Sequence, residues 1–151
     1  ARNKDLLIYV DEMKAICDEV IIMTDDGSAG RKGVSTVPVK ELCESQTPPA
    51  EVIAIGPPIM MKFCAQTTKE YGINTTVSLN TIMIDGTGMC GGCRVSVGGQ
   101  TKFVCVDGPE FNAHEVDWDN MMMRMKSFKS REQADDHKCR MLAQADALAK
   151  K

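Results

Sequence analysis

Aromatic side chains are scarce in this 151-residue chain, at 5%, and bases are outnumbered, 18 Lys and Arg against 21 Asp and Glu, for a formal net charge of -3. No Lys/Arg stripe is interleaved with aromatics. A nucleic-acid partner calls for a cationic face and stacking platforms, so none is expected. Long apolar runs are missing too: stretches such as Val52 to Ile55 and Met121 to Met123 fall far short of the ~20 residues of a spanning helix. The N-terminus has no signal-peptide pattern. The expected location is the cytoplasm, with no membrane span. There is no internal repeat, and 43% hydrophobic with 26% charged residues removes the disordered, collagen and coiled-coil classes. One compact domain, or one with a small appendage, remains.

What the chain has in quantity is cysteine. The total of seven is odd, which argues against a fully paired disulfide framework. Cys90, Cys93 and Cys105 form a tight group and point to a metal.

Along the chain, Leu6, Val10, Met13 and Cys17 have helical spacing, which predicts one helix over Asn3 to Cys17 with Asn3 available as its N-cap. Val20 to Met23 reads as a buried strand running into the turn Thr24-Asp25-Asp26-Gly27-Ser28. Val37 to Glu44 reads as a helix, Val52 to Ile55 as a strand, Ile59 to Tyr71 as a helix stopped by Gly72, and Thr75 to Ser78 as a strand. This alternation predicts an α/β domain over residues 1–78, a parallel sheet with helices on both faces. A nucleotide-binding unit of this kind opens with a strand and a Gly-rich turn. The chain starts at a helix, so a fragment of a longer protein is expected. Residues 79–116 form a Gly-rich second domain, and residues 117–151 a polar helical tail.

The chemistry concentrates in Asp85-Gly86-Thr87-Gly88-Met89-Cys90-Gly91-Gly92-Cys93 and in Cys105. Two thiolates separated by two residues reach one metal centre from a single turn, and the glycines let backbone amides approach sulfur. Gly98-Gly99, flanked by Arg94 to Val97 and Gln100 to Val104, is a hairpin signature. Counting back from it sets Val104 opposite Cys93, which returns Cys105 beside Cys93. Plant-type 2Fe-2S proteins space their ligands C-x4-C-x2-C, and the first of these positions here is Asp85. Asp85, Cys90, Cys93 and Cys105 are therefore the expected metal ligands, one oxygen and three sulfurs. A zinc site of three cysteines with His114 is the alternative.

The stretches Ser78-Leu79-Asn80, Ile82 to Val95 and Cys105 to Phe111 resemble the small subunit of NADH-dependent ferredoxin:NADP oxidoreductase. That family is also known as a sulfide dehydrogenase subunit and is related to the dihydroorotate dehydrogenase electron-transfer subunit. The resemblance implies a ferredoxin-reductase-like fold with a parallel NAD-binding sheet, a small 2Fe-2S domain, and FAD in the full-length protein. It also implies a larger flavin and iron-sulfur partner subunit and electron transfer between NAD(P)H, FAD and the cluster. The fragment by itself is expected to be inactive.

Two further turns gain meaning beside it. Gly56-Pro57-Pro58 after a strand and before a helix leaves room for close approach to a positive helix end, and in the resembled reductases this turn faces the nicotinamide. Gly56, Pro57, Pro58 and Met60 are the expected contacts; many of those reductases carry cysteine where this chain has Ile55. Asp25 and Asp26 follow a strand where dinucleotide folds place an acid for the ribose hydroxyls, which favours NAD(H), while Arg31 and Lys32 leave NADP(H) open. The alternative functions are the dihydroorotate dehydrogenase role and a zinc-stabilised nucleotide-binding module. His114, His137, Cys17, Cys43 and Cys64 are read as packing or surface residues, and Met121 to Met125 as core.

Overall fold

The structure is a computed structural model that describes residues 1–149, with side chains described through Met141. In chain order its first elements are α1 (Val10–Ile16), β1 (Met23–Thr24), β2 (Arg31–Lys32), α2 (Thr36–Cys43), β3 (Glu51–Ile55), α3 (Pro58–Glu70) and β4 (Asn74–Ser78). There follow β5 (Arg94–Val97), β6 (Gln100–Phe103), α4 (Val104–Asp107), β7 (Glu110–Asn112), α5 (Trp118–Met125) and α6 (Lys129–Ala149). The chain divides into two compact units, Ala1–Ser78 with Asn112–His114, and Leu79–Phe111 with Glu115 onward.

In the first unit the opening helix expected over Asn3 to Cys17 is split. Asn3 does cap, accepting from the Asp5 amide at 3.1 Å, but it caps a single 3-10 turn, and α1 starts only after Tyr9. Tyr9 sits at φ 54, a left-handed conformation that a right-handed helix cannot pass through. The expected strand Val20 to Met23 survives only at its end, as β1, which pairs in parallel with β2 (Met23↔Arg31, Thr24↔Lys32).

The β3-α3-β4 unit follows the pattern. Pro58 occupies the first turn of α3, where its missing N–H costs nothing, and Gly72 at φ 66 ends the helix. β3 and β4 run parallel from Glu51↔Asn74 to Ile55↔Ser78. The returning segment supplies a third strand in the order β3-β4-β7, and the Ala113 amide donates to the Thr75 carbonyl at 2.8 Å. α3 covers the face bearing Ala54, Thr75 and Val77, all buried. The Thr75 hydroxyl donates to Thr68 Oγ1 at 2.6 Å, Thr68 donates to the Cys64 carbonyl at 3.0 Å, and His114 Nε2 lies 3.1 Å from the Thr68 hydroxyl.

The expectation of one sheet with helices on both faces is corrected here. β1 and β2 form a sheet of their own, and on the other face of β3 Ile53 and Ile55 are 64% and 69% exposed. A continuous apolar run reads as burial on both faces, yet side chains still alternate along the strand, and among the described residues α3 covers one side.

In the second unit β5 and β6 pair antiparallel, Arg94↔Phe103 to Val97↔Gln100. Gly98 and Gly99 have φ 57 and 75, the two positive values that a type I′ turn requires. The strand expected to reach Val104 ends at Phe103, and α4 begins there. Val95, Val97, Val104, Val116, Trp118 and Met121 are buried and form the core. Asp117 caps α5, accepting from the Asn120 amide at 3.0 Å. The methionine run is divided: Met121 is buried and Met123 exposed. Among the described residues no helix is long and apolar enough to cross a membrane.

Candidate metal centre

The hairpin does the first work. Its register carries on past β5 and β6, with the Val104 amide donating to the Cys93 carbonyl at 3.3 Å. The turn into α4 then swings the next side chain inward, and Cys93 Sγ and Cys105 Sγ come to 3.2 Å. Cys93 is buried and Cys105 half-buried. Contact with Cys93 raises the Cys105 pKa above its ordinary value. Two thiolates at this distance repel, so deprotonating the pair calls for a cation between them.

The Gly-rich loop forms the other half. Asp85 accepts through Oδ1 from the Thr87 amide at 2.9 Å and through Oδ2 from the Cys90 amide at 3.1 Å. The Thr87 amide, before the others, holds the Asp85 carboxyl below the usual carboxylate range, so it is an anion at neutral pH. Each carboxylate oxygen keeps a second lone-pair site. Gly88 and Gly91 adopt φ 82 and 65, and a Cβ on Gly88 would come within 3.1 Å of Val106, so the loop closes only with glycine there. The Gly92 amide points at Cys90 Sγ from 3.4 Å.

The four donors are thus arranged as two pairs, Cys93 with Cys105 and Asp85 beside Cys90. Among the described residues no three His, Cys, Asp or Glu side chains are grouped to hold one metal ion. A mononuclear site needs such convergence. A sulfide-bridged two-iron centre takes two protein ligands per iron, and paired donors with anionic character fit it. His114, the fourth ligand of the zinc alternative, belongs to the first unit and lies against Thr68.

The nicotinamide turn folds as a turn. Pro57 precedes α3, and its carbonyl accepts from the Met60 and Met61 amides at 2.9 and 3.1 Å. Met60 Sδ accepts from Cys64 Sγ at 3.5 Å, and a Cβ on Gly56 would collide with Met60 Cε, so Met60 packs directly on the glycine. Asp25 and Asp26 lie exposed in a separate turn after β1. Asp26 accepts from the Ser28 amide at 2.9 Å and the Ser28 hydroxyl at 2.7 Å, and the Ser28 hydroxyl is the main cause of its lowered pKa. Asp26 is therefore engaged by its own turn, and Asp25 is the acid whose side chain no such bond occupies.

Two residues that sequence reasoning missed touch the metal loop. Arg94 Nη1 donates to the Gly91 carbonyl at 3.1 Å, and Arg124 Nη2 to the Gly92 carbonyl at 3.4 Å. Both line a cavity of about 290 Å³ with Ile82, Ile84, Met121 and Phe128. Adjacency to Cys93 was a signal for Arg94; nothing local marks Arg124.

Residues 80–117 match the family model of the iron-sulfur cluster binding domain of dihydroorotate dehydrogenase B. Over 133 residues the chain is 53% identical to the dihydroorotate dehydrogenase B (NAD(+)) electron transfer subunit homolog of Thermotoga maritima, covering 87% of this chain and 46% of that one. It is 36% identical over 115 residues to the electron transfer subunit of Clostridium perfringens, 76% of this chain and 45% of that one. A solved structure of an NADH-dependent reduced ferredoxin-NADP oxidoreductase superposes with TM-score 0.76 at 48% identity, over 91% of this chain and 49% of that chain. The chain spans about half the length of these relatives. Residues 80–117 thus form an iron-sulfur cluster binding domain of the dihydroorotate dehydrogenase B type, and the chain is a homologue of about half of an electron-transfer subunit.

Proposed function

We propose that the chain is the nicotinamide-facing and iron-sulfur part of a cytoplasmic electron-transfer subunit of the ferredoxin:NADP oxidoreductase kind, working with a larger flavin and iron-sulfur subunit. The observation that carries this is the pairing of Cys93 with Cys105 at 3.2 Å beside a loop in which Asp85 and Cys90 supply the second pair. When bound, FAD exchanges a hydride with NAD(H) and a 2Fe-2S cluster moves the electrons singly.

The residues of this chain hold and shield. Cys93, buried, and Cys105, half-buried, would hold one iron of the cluster. Asp85 and Cys90, both exposed, would hold the other, on the side open to a partner. Gly56, Pro57, Pro58 and Met60 form the turn that faces the nicotinamide at the positive end of α3, with the Met60 side chain packed over Gly56. Asp25 takes the ribose hydroxyls, with Asp26 stiffening the turn; its charge selects NAD(H) over the 2′-phosphate of NADP(H).

The test is anaerobic reconstitution of the chain with iron and sulfide, followed by metal analysis and visible absorption. Brown protein with iron and acid-labile sulfide in equal amounts is expected. Colourless protein with stoichiometric zinc would replace this reading by the zinc-stabilised module. The second reading, a dihydroorotate dehydrogenase role, is favoured by the names of the relatives and opposed by the carboxylate at Asp85, where cysteine is expected. Co-purification with a dihydroorotate-oxidising subunit would decide for it.

A further inference from the structure

Gly91 and Gly92 are the two residues between Cys90 and Cys93, and each carbonyl of this link receives a guanidinium. Arg94 donates to Gly91 and Arg124 to Gly92. In a trans peptide the C=O and the next N–H point in opposite directions. The peptide whose carbonyl Arg94 holds is the one whose N–H, on Gly92, faces Cys90 Sγ at 3.4 Å. Holding the oxygen therefore aims the amide at the sulfur. Arg124 holds the oxygen of the peptide that leads into Cys93, from a helix fixed by buried Trp118 and Met121. The link contains glycines with no side chain to restrain it, and Gly91 sits at φ 65; the Arg94 amide closes a turn on the Gly91 carbonyl at 3.4 Å, and the two guanidinium groups add to that bracing.

The charges matter as well as the bonds. A two-iron centre with four anionic ligands gains one more negative charge when one electron enters it. Positive groups fixed beside it favour that state; Arg124 is half-buried, whereas Arg94 is exposed and more strongly screened by water. Hydrogen bonds to the sulfurs and net charge are two of the levers on cluster potential.

We propose that Arg124 and Arg94 are positioning residues that brace the Cys90–Cys93 link and raise the reduction potential of the cluster held there. The proposal rests on the reading of the loop as a 2Fe-2S site. It is tested by mediated titration of the full chain with dithionite as electron donor, following the electron paramagnetic resonance signal of the reduced cluster, for the parent, Arg124→Met, Arg124→Lys and Arg94→Met.

With Arg124→Met, the ratio of reduced to oxidised cluster at a fixed ambient potential should fall about tenfold, which is about 59 mV for a one-electron couple. Arg124→Lys should recover most of the potential and still lose its cluster faster than the parent on standing, because it keeps the charge but not the planar fork. If Arg124→Met loses iron altogether, Arg94→Met, at an exposed position, carries the test with a shift of the same sign. An unchanged potential and signal in variants that keep iron would overturn the proposal. A parent chain that takes up no iron and sulfide would instead overturn the reading beneath it.

Discussion

Asp85 joins the sequence pattern to the observed geometry. Its bonds to the Thr87 and Cys90 amides hold it below its ordinary pKa of 3.8, so their contribution is full above pH 3.8 and is lost as the pH falls through the lower folded-state value. In the metal-free chain, the amide resonances of Thr87 and Cys90 should shift only below pH 3.8, and Asp85→Asn should remove the transition. In the loaded chain Asp85→Ala should weaken iron retention, read as faster bleaching, while Asp85→Cys keeps a cluster at a changed potential. Equal retention by the alanine variant would strike Asp85 from the ligand set. Tyr71 gives a check on the first unit that no metal affects. Its hydroxyl donates to Glu44 Oε1 at 2.6 Å, which pushes its pKa from 10 up to about 12. This bond stabilises the fold fully below pH 10 and is lost as the pH climbs through about 12. Ultraviolet titration should show a phenol ionising near 12 that returns toward 10 in Glu44→Gln.

Between residue and molecule, the hairpin sets the distance between Cys93 and Cys105. Gly99 stands at φ 75 with nothing within 4 Å of a Cβ built there, so Gly99→Ala isolates backbone strain, about 1–2 kcal/mol for a left-handed residue. Iron loss should quicken accordingly, whereas Gly99→Asn, a residue that tolerates this conformation, should stay close to the parent; equal retention in both would mean that the register does not govern the site. The hairpin was legible because two glycines between alternating residues specify turn, register and partner at once. α3 was legible because Pro58 and Gly72 mark its ends. The split at Tyr9 was not, since the spacing of Leu6, Val10 and Met13 carries no trace of a left-handed residue between them. Arg124 was invisible for a different reason: its contact with Gly92 spans 32 residues and depends on where α5 packs. The second cover over Ile53 and Ile55 was inferred from their hydrophobicity, which records what a strand can bury, not what lies over it.

Across the whole molecule, composition excluded classes and left placement open. The acid turn at Asp25 and the glycine turn at Gly56 were readable as local motifs, but that β1 and β2 would form a sheet separate from β3 and β4 depends on hydrogen bonds that no local pattern encodes. The described side chains of α6, from Lys129 to Met141, are all exposed. Ending the chain at Phe128 should therefore lower the helical signal in circular dichroism and leave the unfolding midpoint of the rest unchanged; a large drop would mean that α6 supports the core. Finally, the closeness of Cys93 and Cys105 makes the empty protein vulnerable to air. Two thiols 3.2 Å apart have only to surrender two protons and two electrons to dissolved oxygen to become a disulfide, and that bridge would shut the socket against iron. Material handled aerobically should stay blank until a reductant such as dithiothreitol reopens it, and blankness of that origin is a locked door, not a missing room.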